Sequence, residues 1–132
     1  MQENILKSFL KDDEIKAIEE LLVKDRRHPV KQLLQPRDRE TQVLANTNLA
    51  LKRIMTLDKS WLESIRQRLT DTNTFSASSS ALGEIRAYGY LLDTLLDVRP
   101  IPETNDSTPD FRVIYDNEEV IVEVHSKQYD GN

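Results

Sequence analysis

The spacing of apolar residues changes partway along the chain, and that change most restricts what the chain can fold into. Up to about residue 96 apolar side chains recur every three or four positions, as on helices; beyond it they fall into short β-branched and aromatic runs. Ile5, Leu6, Phe9 and Leu10 form a first stripe. Ile15, Ile18, Leu21 and Leu22 form a second, with Asp12 or Asp13 placed to cap it. Pro29 predicts a break, then a short helix around Val30, Leu33 and Leu34 that stops near Pro36. A longer helix carries Val43, Leu44, Thr47, Ala50, Ile54 and Met55 on one side. Asp58 caps the next, with Leu57 and Leu62 as its hydrophobic staple and Trp61, Ile65 and Leu69 completing the buried face.

Residues 71–80 are polar and aperiodic and predict a connecting loop that ends in a serine cap; a helix over 81–96 follows. Strands are expected at Val98–Ile101, Phe111–Tyr115 and Val120–Val124, the last two joined by a turn at Asp116-Asn117-Glu118. The expected fold class is α/β in the mixed α+β sense. It comprises a helical region over 1–70, the loop over 71–80, and a helix with antiparallel strands over 81–132.

Several function classes are excluded. No apolar run approaches the ~20 residues of a bilayer crossing, so no membrane partner is expected. With no cysteine there is neither a disulfide scaffold, a thiolate nucleophile nor a cysteine-ligated zinc. The first residues lack the basic start and long apolar run of a secretory signal, and a cytoplasmic protein is expected. With 3 glycines there is no Gly-rich phosphate loop, and no serine elbow is present. The basic stretch Lys24-Asp25-Arg26-Arg27-His28 reads as a solvated helix connection, because an acid interrupts it and no aromatics are interleaved.

Charge is unevenly divided. Residues 1–70 hold 14 Lys/Arg against 11 Asp/Glu, and residues 71–132 hold 4 against 12. So many carboxylates with so few cations repel one another, either across a solvated acidic surface or around a bound cation. One acid is out of place. At about 100° per residue, Leu82, Ile85, Tyr88, Leu91, Leu92 and Leu95 share one helical face, with Arg86 and Asp93 opposite. Glu84 falls inside the apolar sector. It either reaches solvent beside the helix start, where the dipole favours an anion, or faces the strands for a purpose. On the strands, Asp110 follows Pro109, and Glu123 ends the run Val120-Ile121-Val122. Neighbouring strands would bring these two within ~5 Å, where a cation between them relieves their repulsion. Mg2+ takes oxygen ligands and needs only one or two carboxylates.

Gly83-Glu84 on a helix, Pro109-Asp110-Phe111 at a strand start, a hairpin and then Ile121-Val122-Glu123-Val124-His125 resemble the PD-(D/E)xK nuclease superfamily over roughly residues 78–128. The resemblance implies a restriction-endonuclease-like core of a helix and antiparallel strands. It implies Mg2+ or Mn2+ held by Glu84, Asp110 and Glu123, and hydrolysis of nucleic-acid phosphodiesters, DNA more than RNA. His125 stands where that family has a lysine and would sit near the attacking water, with Lys127 one pleat further. The chain ends at Asn132, before the family's next helix and strand, so the core is expected to be incomplete. A longer protein, or a partner chain in a homodimer, would supply the rest. The alternative is the same fold without catalysis, serving nucleic-acid binding, protein interaction or oligomerisation.

Overall fold

The computed structural model describes residues 4–21, 27–94, 96–102 and 110–124. In chain order these form α1 (Ile5–Phe9), α2 (Asp12–Glu19), α3 (Pro29–Leu34), a 3-10 turn (Asp38–Glu40), α4 (Thr41–Leu57), α5 (Lys59–Ser64), α6 (Arg66–Leu69) and α7 (Phe75–Asp93). Then come β1 (Asp97–Pro100), β2 (Phe111–Tyr115) and β3 (Glu118–Val122). The architecture is mixed α+β, helices first and an antiparallel sheet of order β1-β2-β3 after them.

Local signals account for most of the helix boundaries. Pro29 takes the first position of α3, where its missing N–H costs nothing, and His28 Nδ1 accepts from the Val30 N–H. Asp58 caps α5 by accepting from the Trp61 N–H. The expected staple is only half present, since Leu62 is buried but Leu57 is 61% exposed. Asp12 and Asp13 lie within the first turn of α2 rather than capping it. There the Glu14 carboxylate accepts from the Lys11 N–H.

The largest departure is α7, which begins at Phe75 instead of Ala81 and ends at Asp93 instead of Leu96. Thus the serines of the expected loop form its first turns. Ser78 is fully buried and its hydroxyl donates to the Leu69 carbonyl at 2.7 Å. That tertiary bond offsets the weak helix propensity of the serine run. Along α7, Gly89 meets Ala50 of α4 so closely that a Cβ on it would stand 2.5 Å from the Ala50 Cβ.

The apolar core is continuous, from Leu6 and Phe9 of α1 through Leu51 and Ile54 of α4 to Ile85 and Tyr88 of α7 and Phe111 of β2. The sheet lays one face on it. Phe111 and Val113 are buried and pair with Val122 and Val120 on the same face of the sheet, although Val120 at the hairpin end is exposed. Arg112 and Ile121, also paired, share the outer one. The strands run Asp97–Pro100 and Glu118–Val122, each shifted from its expected span. Pro100 is tolerated because β1 is an edge strand. The hairpin closes through Asp116 and Asn117, both at positive φ, and Glu118 already pairs with Tyr115.

Candidate functional site

An aromatic junction sets where the acids can lie. Tyr88 stacks on Phe111 with ring centroids 5.0 Å apart, and Trp61 meets Tyr88 edge-on at 4.8 Å. The Tyr88 hydroxyl donates to Asp58 Oδ2 at 2.6 Å, so the residue that caps α5 also anchors α7. Burial, reinforced by that bond, pushes the Tyr88 phenol well above its ordinary range. β1 follows α7 closely and runs antiparallel to β2, with Asp97 level with Ile114 and Pro100 with Phe111. Moving back along α7 from Asp93 through Tyr88 therefore leads toward the Phe111 end of the sheet. Tyr88 is thus the α7 residue set against the Phe111 end of the sheet.

Asp110 and Glu123 belong to that same end. The paired register ends at Phe111 with Val122, and just before it the Asp110 N–H donates to the same Val122 carbonyl at 3.2 Å, so regular pairing is not continued to Glu123. Asp110 is half-buried at a bend before β2, and its Oδ2 accepts from the Val124 N–H at 2.7 Å. Its carboxylate thus holds the end of β3 where the ladder stops. Glu123 is exposed on the side of Ile121 and Arg112, away from the core. His125 and Lys127 lie outside the described residues.

Glu84 is buried, 6% exposed, and its purpose in the apolar sector is now explicit. Arg68 of α6 approaches fork to fork, with Nη1 2.7 Å from Oε2 and Nη2 3.0 Å from Oε1. The carboxylate turns neither to solvent nor to the strands but to a guanidinium contributed by the helical region. Removing one partner of such a buried pair costs about 3–5 kcal/mol, so this contact also fastens α6 to α7. Among the described residues no three His, Asp or Glu side chains gather where one ion would bind, so Glu84, Asp110 and Glu123 do not surround a common point. Both oxygens of Glu84 are taken by Arg68, while Asp110 is engaged by the Val124 N–H.

Arg68 carries no signal in the sequence. It lies sixteen residues from Glu84, beyond any helical spacing, and only the packing of α6 on α7 reveals it. Other basic residues also differ from expectation. His28 is not solvated but 1% exposed, with its Nδ1 accepting from Val30 and its Nε2 2.7 Å from the Asp71 carbonyl. That pattern puts the proton on Nε2, and burial lowers the imidazole pKa below its usual value. Arg27 pairs with Glu40 at 2.9 Å, while Lys24, Asp25 and Arg26 lie outside the described residues. Arg86, expected on the polar side, is half-buried against Thr47, which depresses its pKa.

No family model, curated protein or solved structure matches the chain. Among the described residues no helix is long and apolar enough to cross a membrane.

Proposed function

We propose that this chain is a metal-dependent, nuclease-like domain that hydrolyses nucleic-acid phosphodiesters, DNA more than RNA. What best supports this reading is the order of a helix acid, Glu84, and two acids flanking the β2–β3 hairpin, Asp110 and Glu123, with Asp110 fixed beside the end of β3. Carboxylates supply an oxygen-only donor set, which suits Mg2+ or Mn2+. Such an ion, when bound, supplies an activated water and stabilises charge on a phosphodiester. Asp110 and Glu123 are the residues proposed to hold it, and His125 is proposed to orient the water. The Asp110 carboxylate is itself oriented by the Val124 N–H.

A second reading rests on the Arg68–Glu84 pair. A buried acid already neutralised by an arginine has no need of a metal, which favours a non-catalytic module of the same fold. Nicking of supercoiled plasmid in Mn2+ separates the two. Asp110→Asn should cost at least the ~10–100-fold that even outer-shell partners of a metal are worth. If Asp110→Asn cleaves as wild type does, the hydrolytic reading falls. Salt-sensitive DNA binding with no turnover in any divalent metal selects the module.

A further inference from the structure

On the outer side of the α4–α7 crossing, exposed apolar side chains and a cation without an anion occur together. On α7, Arg86, Tyr90 and Asp93 recur at i, i+4 and i+7 and share one stripe; on α4, Leu49, Arg53 and Leu57 recur every fourth residue. An ion pair of 2.8 Å between Arg53 and Asp93 joins the two stripes. Tyr90 is 72% exposed and Leu49 69%, so neither belongs to the core. Arg86 is half-buried, yet its guanidinium donates only to the Thr47 hydroxyl, at 3.4 Å, and meets no carboxylate among the described residues. Its other nitrogens still touch solvent, because no buried side-chain nitrogen among the described residues is left unbonded. A cation withdrawn this far from water without an anion is costly, and an incoming carboxylate would offset that cost.

The spacing of charges indicates which carboxylate. Arg86 lies four residues before Tyr90 and Asp93 three residues after it, so the stripe is nearly its own complement when reversed end to end. A two-fold axis through Tyr90 sets α7 antiparallel to its copy and brings Arg86 opposite the partner's Asp93, twice over. The Asp93 side chain is 66% exposed in its pair with Arg53, and a carboxylate has acceptor sites for a second guanidinium. Tyrosine and arginine are also the side chains that most often anchor protein contacts.

We propose that the outer face of α4 and α7 binds a second copy of this chain, in a two-fold dimer where Arg86 meets the partner's Asp93 and the two copies cover Tyr90 and Leu49. The contact uses no residue of the sheet, so it stands independently of the nuclease reading.

Sedimentation equilibrium of the full 132-residue chain over a range of concentrations tests this, each variant being checked for folding by circular dichroism. Wild type should reach twice its 15.3 kDa monomer mass. Asp93→Arg, at an exposed position, sets like charges face to face and should weaken the dimer Kd by about tenfold or more; Tyr90→Ser should weaken it as well. Reversing both charges, in the Arg86→Glu, Asp93→Arg double variant, should recover most of that loss, a coupling that only direct pairing of the two positions produces. If the double variant does not fold, Asp93→Arg and Tyr90→Ser decide alone. A wild-type chain that stays monomeric up to millimolar concentration overturns the proposal, as does a folded double variant that recovers nothing. So does a dimer whose Kd neither Asp93→Arg nor Tyr90→Ser changes, the result expected if copies pair along the β3 edge instead.

Discussion

Gly89 on α7 lies directly against Ala50 on α4, with no room for a side chain between the two long helices. A methyl group at position 89 would stand 2.5 Å from the Ala50 Cβ and 2.6 Å from its Cα. Both distances are too short for any real contact, and one of the atoms is backbone, so no rotamer change can relieve them. The pairing of a glycine with an alanine is what lets α7 lie against α4 with Tyr88 turned toward Asp58 and Phe111.

Gly89→Ala therefore separates two opposed effects. Alanine favours a helix interior by about 1 kcal/mol over glycine. Overpacking a closed helix crossing costs about 1–3 kcal/mol. The contact should win, lowering the urea midpoint; a midpoint at or above wild type would show that the helices separate freely at this position.

Stability should depend on His28 on the acid side of neutrality. Its pKa is lowered in the folded state, chiefly by burial and against the raising influence of Asp71, so the unfolded chain binds the proton more readily. Stability from this group is then complete above the ordinary histidine value of about 6.5 and declines as pH falls from there toward the lowered value. His28→Asn keeps a good cap for α3 but cannot titrate in this range. Urea midpoints at about pH 7.5 and about pH 5.5 should differ less in the variant than in wild type, after both are referred to their neutral values. An equal pH dependence in the two proteins would mean that His28 is not held neutral.

The β2–β3 turn makes a third prediction. Asp116 and Asn117 stand at φ 52° and 64°, the left-handed pair of a two-residue hairpin loop. Glycine adopts this conformation without strain, while a β-branched residue pays about 1–2 kcal/mol for it. Thermal unfolding should rank Asn117→Gly at or above wild type and Asn117→Val clearly below. Equal melting of wild type and Asn117→Val would contradict the turn.

What was legible in the sequence was local. The short helix after Pro29, the Asp58 cap, the Phe111–Tyr115 strand and the alternation that puts Val120 and Val122 on one face of the sheet all follow from spacing of a few residues. The odd position of Glu84 was equally visible, because a helical wheel needs only neighbours in sequence. Likewise the order of Glu84, Asp110 and Glu123 along the chain is a property of the sequence itself.

Only the tertiary structure decided what those residues meet. The serines at 76–80 become helix because Ser78 finds the Leu69 carbonyl, and His28 becomes core because the Asp71 carbonyl and the Phe75 ring close over it. Above all, Glu84 is neutralised by Arg68, a partner sixteen positions away that no periodicity links to it. A side chain's spacing tells which face it shares, since that is geometry of one element. Its charge partner depends on which other element packs there, and that is fixed by the fit of the whole core.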